Sequence, residues 1–218
     1  MASQTSSGFV HVVGEMRNVM WKGQLSGNIN LDTITNKTNL YGLGPIEYLS
    51  GEILVIDGRS FKSTVATDNE IKVEETFKIK APFFGYTNVK RWQEINLPAY
   101  VRNLKELENY LDSTTKFYHR PTFFKLSGVI DSATIHIVNL PEGSKVSSPE
   151  QAHKGLKKYE LKNQSVDIIG FFSTEHKAIF THHDTFLHLH LITANRDKMG
   201  HVDELNMIPK MFKLYLPE

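Results

Sequence analysis

The sequence predicts an α+β fold with two sub-domains, each built on a largely antiparallel or mixed β-sheet with few helices. Short β-prone runs separated by turn residues recur along both halves of the 218-residue chain. Segments in which apolar residues have helical spacing are few, and each half contains at least one. We therefore expect an N-terminal sub-domain over residues 1–115 and a C-terminal sub-domain over residues 116–218.

The amino-acid composition and the net charge exclude several classes of function. With 40% hydrophobic and 22% charged residues, the chain suits a soluble globular protein with a sizeable core. A net charge of +1 offers no general attraction to nucleic acid or to an acidic membrane surface. The chain has no cysteine, so disulfides, thiolate zinc sites and cysteine nucleophiles are excluded. Any transition metal must therefore be held by histidine, carboxylate and water.

The location expected from the sequence is the cytoplasm. The N-terminal segment MASQTSSGFVHVV lacks the charged region and the long apolar run of a signal peptide. No segment approaches the roughly 18 uninterrupted apolar residues of a membrane-spanning helix, so no membrane association is expected.

In the N-terminal half, the elements follow from spacing and turn residues. Residues 11–23 have apolar side chains at nearly helical spacing and end at Gly23, which predicts a first helix. The pair Asp57-Gly58 separates two β-prone runs and predicts a β-hairpin over residues 53–65. The remaining predictions for this half are strands over residues 70–79 and 80–89 and a helix over residues 100–111.

In the C-terminal half, β-prone runs predominate. Residues 122–139 are predicted to form two strands around Gly128, and residues 147–160, with Pro149 near their start, a short helix. Four further runs predict strands, namely SVDIIGFFST, DTFLHLHLITAN, HVDELNMI and KMFKLYLP.

The stretch FLHLHLITANRDKMGHV, residues 186–202, contains the candidate metal ligands. Residues two apart in a strand share one face, so His188 and His190 point the same way while the leucines beside them point into the core. The segment 194–200 has the composition of a turn, and if it closes a hairpin then His201 returns beside the pair. Three imidazoles on adjacent strands can hold a metal and leave one coordination position for water or substrate.

Other interpretations of these histidines stay open. Because the chain has 10 histidines, one H-x-H pair is a weak signal, and the histidines could be incidental in a non-catalytic α+β interaction domain. His182 and His183 are competing ligand candidates, but adjacent residues in a strand face opposite ways, so at most one of them could join the site.

Glu52 is the candidate catalytic residue. It follows Gly51 directly and begins an apolar, buried-looking strand. A carboxyl group in such a place can act as a general acid or base, or as a metal ligand. The alternative is an exposed glutamate at the end of a strand.

Four motifs, taken together and in order, carry a resemblance to bacterial alpha-acetolactate decarboxylases. The second half provides IIGFFSTEHKAIF, similar to the family's G-F-x-x-P-E segment, and FLHLHLITANRDKMGHV, similar to its H-x-H-F-x-x-x-x-R-x-x-G-G-H-V block. The first half provides a pattern similar to the family's G-L-G-x-x-x-x-L-x-G-E-x-x-x-x-D-G, followed by its P-F motif: Gly42-Leu43-Gly44, Leu49, Gly51-Glu52, Asp57-Gly58 and then Pro82-Phe83.

The resemblance implies a fold, a cofactor and a reaction. It implies two sub-domains with a sheet in each, a homodimer, and zinc held by His188, His190 and His201. It also implies decarboxylation of 2-acetolactate to acetoin through a metal-stabilised enediolate, with Glu52 as the active-site glutamate and candidate proton donor. The substrate class is then a small 2-hydroxy-3-keto acid.

The chain departs from the family pattern in four respects, one of which is Thr174 in the place of the usual proline. The family's active-site arginine falls at or near Val138, and Arg120 is the candidate to replace it. The family's tail glutamate has no counterpart except Glu218 or the terminal carboxylate, and Met199 stands where the family has glycine. The missing arginine favours an alternative, a divergent metal-binding homologue that acts on or binds another small 2-hydroxy-3-keto acid and lacks the family's usual activity.

Overall fold

The structure is a computed structural model, which describes residues 9–176, 179 and 185–218. The first part of the chain forms, in order, β1 (His11–Val13), α1 (Met16–Lys22), β2 (Ile29–Asn30), β3 (Leu40–Pro45), β4 (Glu52–Ile56), β5 (Arg59–Thr67), β6 (Glu70–Glu75), β7 (Lys80–Ala81) and β8 (Phe84–Asn88). Short 3-10 turns at Leu31–Thr33 and Glu47–Leu49 flank β3.

The rest of the chain is also dominated by strands. Its elements are, in order, β9 (Trp92–Asn96), α2 (Leu104–Thr114), β10 (Thr122–Ile137), α3 (Pro149–Ala152), β11 (Lys157–Lys162), β12 (Ser165–Phe172), β13 (Leu187–Thr193) and β14 (Met199–Pro217). None of the helices in the described residues has the length and apolar character needed to cross a lipid bilayer.

Two six-stranded antiparallel sheets form from the described residues, which confirms the predicted α+β fold. The first sheet has the strand order β1-β8-β3-β4-β5-β6, and the second has the order β11-β10-β12-β13-β14-β9. A separate small ladder joins β2 to β7. The strands change sheet between β8 and β9, and the sub-domain boundary near residue 115 stays a prediction.

The second sheet closes on itself. Strand β10 pairs with β12 along one edge and with β14 along the other, while β13 bridges β12 and β14. These four strands therefore form a hydrogen-bonded ring, and β11 and β9 extend it as outer strands. The ring holds β10, β13 and β14 in fixed register, with His136, His188, His190 and His201 on the face away from the leucines of β13.

The two sheets pack face to face through a shared apolar cluster. Tyr41, Leu43 and Leu54 of the first sheet contact this cluster, and Phe171 and Ile192 join it from the second sheet. Burial of these side chains, each no more than 4% exposed, removes a large apolar area from water and holds the sheets together. The candidate site lies between the same two sheets.

Several predicted elements are confirmed. The hairpin around Asp57-Gly58 is present as β4 and β5, and the helix predicted over 100–111 is present as α2. Asn103 caps α2 by accepting a hydrogen bond from the Glu106 backbone N–H at 3.0 Å. The helix α1 ends before Gly23 as expected.

Other boundaries were wrong. The first predicted helix begins only at Met16, because Gly14 takes a left-handed φ of 69° and separates β1 from α1. The helix predicted over 147–160 ends at Ala152, and a strand follows it. The two last predicted strands, over HVDELNMI and KMFKLYLP, form one 19-residue strand, β14.

The two strands predicted around Gly128 also form one strand, the 16-residue β10. Gly128 does not end it. A Cβ atom at this position would lie 2.2 Å from the Met211 carbonyl oxygen, so the glycine allows β14 to approach closely. The irregularity appears instead as register shifts between β10 and β14 on either side of Ile130.

Candidate metal centre

The register of three neighbouring strands brings the predicted ligands together. His190 of β13 lies opposite His201 of β14, and His201 lies opposite His136 of β10. His188 shares the face of β13 with His190, as the two-residue spacing predicts. The hairpin that the turn composition of 194–200 predicted is therefore present.

The three predicted ligands form a compact cluster. One side-chain nitrogen from each of His188, His190 and His201 lies within 4.8 Å of the others. The ring centroids are 5.3 Å apart for His188 and His190, 5.0 Å for His188 and His201, and 5.5 Å for His190 and His201. The competing candidates His182 and His183 lie outside the described residues.

His190 has the environment expected of a metal ligand. Its side chain is fully buried, and its Nδ1 donates a hydrogen bond of 2.8 Å to the Ile53 carbonyl oxygen. The carbonyl fixes the tautomer, so Nε2 carries the free electron pair. Among the described residues, this Nε2 has no hydrogen-bond partner. Burial lowers the pKa of His190 well below its usual value, and the neighbouring His188 lowers it further, so the ring is neutral.

Glu52 faces the cluster from the first sheet. Its side chain is buried, with 3% exposure of the residue, so the alternative of an exposed strand-end glutamate is wrong. Oε1 accepts a hydrogen bond of 3.1 Å from the Val138 backbone N–H, and Oε2 lies 3.5 Å from His190 Nε2. Burial raises the pKa of Glu52 well above its usual value, outweighing the effect of the Val138 N–H.

A fourth imidazole, which the sequence analysis missed, adjoins the cluster. The His136 ring stacks on His201 with centroids 4.6 Å apart, and its Nε2 lies 4.0 Å from Glu52 Oε1. Its Nδ1 and Asp203 Oδ1 are 2.6 Å apart. A second possible ligand group, His136 with His201 and Asp203, results from this arrangement. The available signal was a histidine alternating with isoleucines in the segment TIHIV.

Arg120 and Glu218 do not compensate for the departures from the family pattern. Arg120 donates hydrogen bonds to the Thr115 carbonyl, before β10, and to the hydroxyl of Thr122, the first residue of β10, at the end of the strand opposite His136. Glu218 follows β14 at the end remote from His201, and its carboxylate lies 3.1 Å from Arg91 Nε. At Val138, where the arginine was expected, the contribution is the backbone N–H that binds Glu52.

The donor set suits a divalent transition metal. Neutral imidazole is a common ligand of zinc, copper, iron and nickel, and three such rings leave positions for water or substrate. The buried, unpartnered Nε2 of His190 is otherwise a destabilising group, and a bound cation would satisfy it. The residues present therefore fit a metal ion, while metal binding by His188, His190 and His201 stays a prediction.

An imidazole cluster facing a buried carboxyl group defines, by class, a candidate metalloenzyme. The sequence model of the family described as alpha-acetolactate decarboxylase matches residues 13–215. The chain thus belongs to the alpha-acetolactate decarboxylase family.

The comparisons with individual proteins agree with this assignment. The alpha-acetolactate decarboxylase of Methanosarcina mazei is 28% identical over 168 residues, which are 77% of this chain and 56% of that protein. The chain thus spans little more than half the length of this curated relative. The crystal structure of alpha-acetolactate decarboxylase from Bacillus subtilis strain 168 superimposes with a TM-score of 0.73, at 20% identity, over 95% of this chain and 83% of that one.

A second solved structure is equally similar. It is a Staphylococcus aureus protein of unknown function similar to alpha-acetolactate decarboxylase, with a TM-score of 0.74, 14% identity, and coverage of 96% of this chain and 84% of that chain. Because the sequence identities to both solved structures are low, these two comparisons show a shared fold alone.

Proposed function

We propose that this protein decarboxylates 2-acetolactate to acetoin with a divalent metal, zinc, held by His188, His190 and His201. The observation that carries the proposal is the cluster of three imidazoles, with the unpartnered His190 Nε2 next to the Glu52 carboxyl group. Membership of the family supports the choice of substrate and reaction.

The reaction has simple requirements. The bond between the carboxylate carbon and the hydroxyl-bearing carbon breaks, carbon dioxide leaves, and the electron pair moves toward the adjacent ketone oxygen. The hydroxyl-bearing carbon then takes up one proton to give acetoin. When bound, a divalent cation would supply Lewis-acid stabilisation of the negative charge that develops.

Glu52 is the proposed donor of this proton. Its carboxyl group is buried beside the imidazole cluster, and the Val138 N–H holds one of its oxygens in place. A fixed donor within the pocket protonates one face of the planar intermediate, whereas bulk water would protonate it without such control. Protonation on a single face would yield one enantiomer of acetoin.

The alternative is a divergent homologue that binds a metal and a small 2-hydroxy-3-keto acid but does not form acetoin. The position of Arg120, which is bonded at the far end of β10, favours this alternative, because no guanidinium is then contributed from there to bind the carboxylate of the substrate.

Metal analysis combined with an activity assay separates these proposals. We expect purified protein to contain close to one equivalent of zinc, and zinc-loaded protein to convert racemic acetolactate to acetoin faster than the spontaneous reaction. The double substitution His188→Ala and His190→Ala should remove both zinc and activity. Zinc without acetoin would leave only the alternative, and protein without zinc that binds none on addition would support the incidental-histidine interpretation.

The resemblance also supports a homodimer in the cytoplasm. Light scattering coupled to size-exclusion chromatography gives the mass of the particle in solution, and a mass of twice the 24.9 kDa chain is expected. A monomer at concentrations used for activity assays would contradict the dimer.

A further inference from the structure

The three candidate ligands are fixed in different ways. The ring of His190 is fully buried and is held by a hydrogen bond to the Ile53 carbonyl. His188 is buried as well, with 3% exposure. His201 is more exposed than either, and its ring lies against the ring of His136, 4.6 Å away and inclined by 28°. The His201 ring is thus in stacking contact with a ring of the neighbouring strand β10.

His136 is itself held firmly. It is 7% exposed, and its Nδ1 lies 2.6 Å from Asp203 Oδ1. A carboxylate only accepts hydrogen bonds, so Nδ1 of His136 is the donor. The ring plane of His136 is thereby fixed.

Asp203 is positioned by its own strand. It follows His201 by two residues on β14, at a register shift between β14 and β10, and its side chain reaches His136 on β10. The Lys158 ammonium lies 3.0 Å from Asp203 Oδ2, as an ion-pair contact rather than an aligned hydrogen bond. One strand thus carries both the candidate ligand and the group that orients the ring stacked on it.

We propose that His136 is a positioning residue, whose stacked ring holds the imidazole of His201 in the orientation needed to bind the metal. The inference rests on the proposed metal centre and deepens it. Groups around a metal site usually orient a ligand by hydrogen bonding to its second nitrogen, and losing them weakens metal binding by about 10- to 100-fold. In this protein the ring of His136, which is hydrogen-bonded to Asp203, orients His201 by stacking contact.

A competing role for His136 is direct ligation, because His136, His201 and Asp203 also offer atoms within 4.8 Å of one another. The two roles differ in what a phenylalanine at this position would do. Phenylalanine keeps a flat ring of similar size but offers no nitrogen to a metal. A positioning role tolerates this change, and a ligating role does not.

The experiment measures zinc affinity by competition with a chromophoric chelator, on the variants His136→Phe, His136→Leu and His136→Ala. We expect the Leu and Ala variants to bind zinc about 10- to 100-fold more weakly and the Phe variant to stay within less than about tenfold of the native protein. The visible spectrum of the cobalt-loaded protein should keep its intensity and band positions in the Phe variant. His119→Ala, an exposed histidine just before β10, is the matched control and should bind zinc normally.

Either of two results would overturn the proposal. Equal weakening in the Phe and Ala variants, with an altered cobalt spectrum, would make His136 a ligand. Native affinity in the Ala and Leu variants would show that the stacked ring is not needed. The Leu variant fills the same space, so it decides the question if the Ala variant does not fold. Native protein that binds no zinc would instead refute the metal centre, and that outcome is seen before any variant is compared.

Discussion

The two sheets differ in how far apart in sequence their paired strands lie. They also contribute different groups to the candidate site. In the first sheet, β3, β4, β5 and β6 are successive in the chain and pair with their immediate neighbours. In the second sheet, the long strands β10 and β14 pair although they are far apart in sequence. The first sheet contributes Glu52, and the second contributes every imidazole of the cluster. The proposed proton donor and the proposed metal ligands therefore lie in separate parts of the fold.

The largest effect is expected from Glu52→Gln. Glutamine keeps the oxygen that accepts from the Val138 N–H, so the fold should persist, but it cannot donate a proton as a carboxylic acid does. We expect kcat for acetoin formation to fall by about 10²- to 10⁴-fold while zinc content stays unchanged.

The matched comparison is the double variant that combines His188→Ala and His190→Ala. We expect this variant to lose zinc and activity together. This contrast is the sharpest test of the division between the sheets. If Glu52→Gln also lost zinc, the first sheet would contribute a metal ligand, and the division would not hold.

The next largest effect is expected on the free energy of unfolding, when a buried aromatic side chain is truncated. Phe171 is fully buried in the cluster shared by both sheets, and its neighbour Phe172 is fully buried on the opposite face, within the second sheet. We expect Phe171→Ala and Phe172→Ala each to lower the free energy of unfolding by about 3–5 kcal/mol. Urea unfolding followed by circular dichroism measures this change.

The shape of the urea transition separates the two variants further. Because the shared cluster couples the sheets, a single transition shifted to lower urea is expected for both. Two resolved transitions in Phe171→Ala would show that each sheet is stable without the other.

Replacing Glu108, a residue of α2, is expected to have a smaller, pH-dependent effect on the free energy of unfolding. Its Oε2 accepts hydrogen bonds of 2.8 Å from the Thr185 hydroxyl and the Phe186 N–H, just before β13, and its Oε1 lies 2.8 Å from Lys105 Nζ. Burial raises the pKa of Glu108, but these three partners outweigh it, and the net pKa lies below the ordinary value of 4.5.

Because the pKa of Glu108 is lower in the folded than in the unfolded chain, its carboxylate stabilises the fold above pH 4.5 and loses this effect as the pH falls through the lowered value. The stability difference between native protein and Glu108→Gln should be constant near neutral pH and shrink in acid. Asp112→Asn, an exposed change on the same helix, is the control. A difference that does not vary with pH would contradict the prediction.

The smallest effect on stability and on zinc affinity is expected from Lys158→Ala. The Lys158 side chain is 61% exposed, and exposed ion pairs contribute about 0–1 kcal/mol. Stability and zinc affinity should both stay close to those of Lys162→Ala, an exposed change on the same strand. A loss of zinc affinity as large as that of His136→Ala would show that Lys158, and not the strand geometry, holds Asp203.

Much of the molecule could be predicted where the signal is local. The turn pair Asp57-Gly58 and the alternation of His188 and His190 each act within a few residues, and both predictions of local structure are correct. The strand β9 was not predicted, because its five residues are mostly exposed and its partner is remote. His136 was missed for a similar reason, since only the register with His201 brings it to the site.

The pairing of β9 with the end of β14 has a consequence for the order in which the chain folds. The Asn96 and Lys213 side chains that meet there are 117 positions apart. During synthesis, β9 emerges long before its partner exists, and closing so long a loop costs entropy before the contacts compensate. His190 and Ile53, which meet at the candidate metal centre, are 137 positions apart. A nascent or partly folded chain therefore holds neither a complete second sheet nor a working site.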